Sequence, residues 1–198
     1  ELGIFEMGEF GMKEIADPSE ALLAGRRPGV IGSAISAIME GSRPFLVEIQ
    51  ALTSPSVLPV PRRVSNGLDY NRMVMIATVM SRRTTVRLSN QDIIVNAAGG
   101  LHIGEPSADL AQALAITSSL KNMPVLPGLV AIGEVGLSGE IRSVNQLDRR
   151  INEAVRLGFS TYLLPESAKG KISSFKDKQM LYVSTLDNAL KLGLNKQP

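Results

Sequence analysis

Ser107 offers the most chemistry of any residue in this chain. It follows Pro106 and opens the run Ala-Asp-Leu-Ala-Gln-Ala-Leu, which reads as the start of a helix. A serine there lies in a positive local field beside free backbone N–H groups, where an oxyanion can be held. The simplest use of such a serine is as the N-cap. A nucleophilic role needs in addition a base, such as a lysine kept neutral in a dry pocket. His102 is the single histidine; it stands in an apolar context before Ile103, with no matching carboxylate and nucleophile pattern, and is expected to be structural. With one histidine and no cysteine, a multi-histidine or thiolate metal site is excluded. A phosphate-cradling loop needs Gly-x4-Gly-Lys-Ser/Thr. The one Gly-Lys pair, Gly170-Lys171, is followed by Ile172 and has Pro165 where the first glycine belongs, so no nucleotide cofactor of that type is expected here. Gly99-Gly100 is expected to be a turn rather than a ligand loop.

Charge supplies the other candidate. The net charge of +2 hides an asymmetry: residues 1–20 carry six acids against Lys13 alone, while residues 60–91 carry Arg62, Arg63, Arg72, Arg82, Arg83 and Arg87 against Asp69 alone. Such a segment is either an anion-binding face or a solvated face balanced by acids elsewhere in the fold. Composition is otherwise ordinary for a globular chain, at 44% hydrophobic and 20% charged, but only 4% aromatic and without Trp. The core must therefore rest on Leu, Ile, Val, Ala and Met. No apolar stretch approaches the roughly 18 residues of a membrane span, and nothing at the start reads as a secretory signal. Absence of Cys fits a reducing, cytoplasmic setting. Beginning at Glu1 rather than Met, the sequence reads as part of a longer chain.

The elements that must position these residues follow from punctuation and periodicity. Two short strands are expected around Gly8 to Gly11. A short helix follows, capped by Asp17, with Pro18 in its first position and Gly25 at its end. A boundary at about residue 28 separates the acidic opening from the rest. Residues 30–52 predict a hairpin turning at Glu40 to Arg43, and the Pro-rich run from Leu52 to Arg63 predicts a surface loop. Leu68 to Arg83 predicts a helix whose Met73 to Met80 stretch is buried, with Arg62-Arg63 and Arg82-Arg83 emerging on either side. Residues 84–88 and 92–100 predict strands. In the helix from Ser107, Leu110, Ala113, Leu114 and Leu120 share a face. Residues 128–144 predict a second hairpin turning at Ser138-Gly139. Asn145 to Leu157 predicts a helix ending at Gly158; a strand over residues 159–165, another strand and a terminal helix closed by Gly193 complete the chain. Hairpins mixed with helical crossovers predict an α+β (mixed α/β) domain.

Two stretches carry a specific resemblance. DIIVNAAGGLHIGEPSADLAQALAI is similar to the Lon-protease segment in which a strand runs through a loop into a Pro-Ser-Ala helix start bearing the nucleophile, a position that falls on Ser107. GEVGLSGEIRSVNQLDRRINEAVRLGF resembles the segment with the partner lysine, where Asn145-Gln146-Leu147 replaces Gly-Gly-Leu and Asp148 occupies the lysine position. An aspartate cannot serve as the neutral base, and Arg149 and Arg150 beside it are expected to keep it ionised and paired. Hydrolysis is not expected, although a Ser-type peptidase using Ser107 with another base is the alternative. Together with NGLDYNR and ELGIFEM, the wording is closer to the bacterial RadA (Sms) DNA-repair family than to Lon itself.

The resemblance implies a Lon-protease-like domain over residues 28–198 and the end of a RecA-like ATPase core over residues 1–27. It implies a parent with ATP, magnesium and zinc as cofactors and a hexameric ring. It also implies recombinase and other repair proteins as partners and a motor role on branched DNA. Within that DNA role, the local excess of arginine points to Arg62, Arg63, Arg82, Arg83 and Arg87 as contacts, with Lys121 and Arg142 as weaker candidates, gripping phosphates without reading sequence. With no Trp and few other aromatics, a base-stacking platform for single strands is not expected. A purely structural oligomerisation domain is the remaining alternative.

Overall fold

The computed structural model describes residues 5–8, 11–15, 17–173 and 175–194. A small antiparallel hairpin, β1 (Phe5–Gly8) with β2 (Gly11–Glu14), precedes α1 (Pro18–Leu23), whose N-cap Asp17 accepts from the Glu20 N–H at 3.1 Å. Next come β3 (Ser33–Glu40), β4 (Arg43–Pro55), β5 (Arg63–Asn66), α2 (Tyr70–Arg83) and β6 (Gln91–Ala97). The second half contains α3 (Asp109–Lys121), β7 (Leu129–Ala131), β8 (Glu134–Val135), β9 (Ile141–Arg142) and α4 (Leu147–Arg156). It closes with β10 (Thr161–Pro165), β11 (Gln179–Val183) and α5 (Leu186–Gly193).

Seven strands form one sheet in the order β11-β10-β7-β3-β4-β6-β5. The β3–β4 and β4–β6 pairs are antiparallel; the other four are parallel. The domain is thus mixed α/β, as the pattern of hairpins and crossovers predicts. Alternation along the strands sorts the core into two layers. Ala34 and Ile38 of β3, with Phe45, Val47 and Ile49 of β4, pack with α2, α3 and α5 on one face. Ile35 and Ala37 of β3, with Leu46 of β4, pack with Leu147, Ile151 and Ala154 of α4 on the other. Residues 109–118 of α3 are buried on every side, so the single apolar face expected of that helix is replaced by a wholly buried one. The helix is held between the sheet, α2 and α5.

Several expectations are corrected here. The Pro-rich run is not all loop: β4 continues to Pro55, paired with Gln91, and β5 pairs along β6 as an edge strand. Edge position is what tolerates the flanking prolines. Residues 84–88 form no strand; they are an irregular connector that closes the end of α2. The Thr84 N–H and Oγ both donate to the Met80 carbonyl, at 3.1 and 2.6 Å, and the connector buries Val86 and Leu88. The second predicted hairpin is split. Its first arm, β7, joins the main sheet, and only β8 and β9 pair with each other around the turn at Ser138-Gly139. Gly99-Gly100 is a turn as expected, with Gly99 at φ +80°.

Candidate functional site

Ser107 is fully buried and does not cap a helix. It lies in a 3₁₀ turn over Pro106–Ala108 that precedes α3, and its hydroxyl donates to Glu105 Oε1 at 2.6 Å, with the Ala37 carbonyl at 3.3 Å. The Glu105 carboxylate also accepts the Met39 N–H at 2.7 Å and a two-armed contact from Arg150, at 2.6 Å to Oε1 and 2.9 Å to Oε2. Arg150 comes from α4 and has none of its side chain exposed. Its remaining donors reach the Ala37 carbonyl at 2.7 Å, the Asn145 carbonyl at 3.0 Å and Asn145 Oδ1 at 3.1 Å. Every guanidinium N–H is therefore used, which is what a buried arginine requires.

Burial alone would raise the Glu105 carboxyl, but the bonds from Arg150 and Ser107 outweigh it and hold it below the ordinary range. A carboxylate so engaged is a weak base, and the Ser107 hydroxyl it accepts from has no exposed surface. Asp148 is elsewhere: it accepts the Ser173 N–H at 2.6 Å. The expected pairing of Asp148 with its neighbouring arginines does not occur, because Arg149 turns to Gln146 and Arg150 is drawn into the interior by Glu105. Sequence adjacency misassigned the partner because consecutive helical residues point about 100° apart. His102 is exposed.

The arginines divide by what they already hold. Arg72 meets Asp109 through two bonds and Glu134 at 3.4 Å, and is spent inside the fold. Burial raises the Asp109 carboxyl despite that partner. Arg62 is paired with Asp92 and Arg142 with Glu140, both arginines remaining largely exposed. Arg63 is half-buried, donating to the Arg62, Gln91 and Leu88 carbonyls. Lys121 is exposed at the far end of α3.

Arg82 and Arg83, exposed in the last turn of α2, and Arg87, on the connector, differ from these. Among the described residues none of the three has an acidic partner. Arg87 donates to the Thr84 carbonyl at 3.0 Å, and to those of Ser81 and Val86 at 3.4 Å, so it covers the carbonyl end of α2. All three line one cleft of about 890 Å³ together with Met75, Val79, Leu88 and Leu137. No group of three or more His, Cys, Asp or Glu side chains is placed to hold a metal among the described residues, and no described helix is long and apolar enough to cross a membrane.

The family model described as subunit ChlI of Mg-chelatase matches residues 71–168, which include the Ser107 cluster, Arg150 and the three cleft arginines. The chain is 44% identical over 196 residues to the DNA repair protein RadA of Halalkalibacterium halodurans, covering 99% of this chain and 43% of that protein. It is 43% identical over 194 residues to DNA repair protein RadA of Listeria monocytogenes (98% and 42% covered). For the protein of that name from Bacillus subtilis, identity is 42% over 194 residues (98% and 42% covered). The chain spans less than half the length of these curated relatives.

Proposed function

Because this chain belongs to the family of DNA repair protein RadA, we propose that it serves DNA repair and recombination by contacting DNA through the cleft of Arg82, Arg83 and Arg87. One observation carries the reading: among the described residues, three neighbouring arginines on one cleft have no acidic partner. Unspent guanidinium groups fork two donors onto a phosphate and grip it whatever the sequence. Arg62, Arg63, Arg142 and Lys121 are further candidate phosphate contacts outside the cleft.

The finer reading is a Lon-protease-like module without a working peptidase site. We place it in a cytoplasmic, ring-forming motor that acts on branched DNA, with ATP, magnesium and zinc bound by other parts of the longer protein. Residues 1–27 are then the end of an ATPase core. Asp17 and Ser19 of that segment are fastened to α4: Ser19 donates to Glu153 at 2.6 Å, and Arg156 pairs with both Asp17 and Glu153. The burial of Ser107 and its bond to an arginine-held carboxylate support the loss of peptidase chemistry. A serine-reactive probe is expected to leave Ser107 unlabelled; labelling that disappears in Ser107→Ala would overturn this.

The DNA contact is tested by salt dependence. Each phosphate contact contributes about 0.9 to the log–log slope on duplex and about 0.7 on single strands. Arg82→Ala combined with Arg83→Ala is expected to lower the slope by roughly 1.4 to 1.8, equally across unrelated sequences. An unchanged slope would favour a structural oligomerisation domain, a reading supported by how many of the other arginines are spent on internal partners.

A further inference from the structure

We infer that the arginine-lined cleft takes an unpaired nucleobase together with its phosphate, so that the chain holds the exposed bases of an open strand and not the backbone alone. This deepens the DNA reading above and rests on it.

The cleft has two chemistries. Met75, Thr78, Val79 and Arg82 fall at i, i+3, i+4 and i+7 and so form one face of α2. The apolar surface within reach is that of Met75, half-buried, and of Leu137, while Val79 and Leu88, 4% and 1% exposed, lie beneath it. Leu137, 69% exposed at the tip of the β8–β9 turn, forms the opposite wall. Gly139 holds that wall in place: with φ at +84° it brings the turn so close to α2 that an added Cβ would lie 2.9 Å from Arg83 Cβ. Arg82, Arg83 and Arg87, with Ser81 and Ser89, complete the lining with charge and hydroxyl groups. At about 890 Å³ the cleft falls in the range of small-ligand sites, roughly 300–1,000 Å³.

A surface that only tracks a duplex needs phosphate donors and has no use for apolar side chains set among them, because stacked bases stay inside the helix. An unpaired base presents an apolar face that gains by leaving water against Met75 and Leu137. The carbonyl end of a helix would normally repel a phosphate. Arg87 offsets this by donating to the Ser81, Thr84 and Val86 carbonyls. The lining has no aromatic ring, so the base contact is aliphatic burial, weaker than stacking on Trp or Tyr.

Fluorescence anisotropy on the 198-residue chain compares a labelled oligothymidylate, an abasic strand of the same length and the matched duplex at equal salt. The thymidylate is expected to bind roughly three- to tenfold more tightly than the abasic strand. Leu137→Ser should remove most of that difference and leave the salt slope unchanged, while Arg82→Ala with Arg83→Ala lowers the slope for both strands. Equal affinity for the thymidylate and abasic strands, with the slope still falling in the arginine variant, would overturn the base contact and leave the DNA reading intact. No binding of strand or duplex at low salt removes both. Displacement of the strand by micromolar thymidine 5′-monophosphate would make this a free-nucleotide site and overturn the proposal. A change of oligomeric state in Leu137→Ser without a change in strand preference would make the tip a protein contact, with the same consequence.

Discussion

Arg150 has no exposed side chain, and five hydrogen bonds occupy its guanidinium. Arg82 and Arg83 stand exposed at the end of α2 without an acidic partner among the described residues. One residue type thus does two jobs in one fold. The interior arginine cross-links α4, β3 and the turn before α3, and its charge is cancelled by Glu105. The cleft arginines keep their charge available, as an anion contact requires. The difference teaches that a count of arginines along a sequence does not measure binding capacity. What matters is how many remain after the internal carboxylates and carbonyls are served: Arg62, Arg63, Arg72 and Arg142 are wholly or partly claimed, and Arg87 is divided between capping α2 and lining the cleft.

The largest effect is expected from breaking the interior pair. Glu105→Gln leaves the Arg150 charge buried without a counter-charge and should cost roughly 3–5 kcal/mol of stability, read as a lowered urea midpoint. The salt slope of whatever folded protein remains should not change; a shift in slope would mean that the two arginine groups are coupled. The cleft should behave in the opposite way. Arg82→Ala with Arg83→Ala loses DNA affinity while stability stays within about 0.5 kcal/mol, since these are surface positions in a helix and Ala is a good helix former. A large loss of thermal stability in that variant would show that the pair is structural after all.

Acid sharpens the contrast further. Glu105 is held below its ordinary range, so its ionised form contributes stability that is fully present above the unfolded value of about 4.3 and is lost as pH falls through the lower folded value. Asp109 works in the other direction: burial raises it, so its protonation on acidification favours the fold. Acid unfolding of Glu105→Gln should therefore be shallower at the Glu105 step than that of the unchanged protein, whereas Arg82→Ala with Arg83→Ala should follow the unchanged curve. The smallest effects belong to the exposed pairs. Arg142→Ala removes an ion pair in solvent and should change stability little. Arg62→Ala should cost somewhat more, because Asp92 is 5% exposed, although it keeps the bond from the residue 62 backbone N–H at 2.7 Å. Each should also lower the salt slope by less than a full phosphate contact, because Asp92 and Glu140 already hold these arginines.

Much of the fold was legible locally. Asp17 before Pro18, Glu40 to Arg43 between two apolar runs, and Gly158 after Arg156 each carry their structural meaning within a few residues, because caps and turns are satisfied by near neighbours. The helix α2 follows from the length of its apolar run and the flanking Asn66-Gly67, but not all of Met73 to Met80 is buried, since Thr78 is exposed and Val74 and Met75 are half-buried. The family resemblance rests on contiguous wording. Where partners are distant in sequence, local reading fails. Residues 84–88 look like a strand, yet no neighbouring strand takes their hydrogen bonds, and they close the end of α2 instead. The Pro-rich run hides β5 because only β6, thirty residues on, shows it to be an edge strand. Ser107 looks like a cap until Glu105 and Arg150 arrive from either side of it. Which arginines remain unspent was likewise decided in three dimensions, since an ion pair depends on where carboxylates from other elements come to rest, and no spacing within residues 60–91 records the positions of Asp109, Glu134 or Leu137.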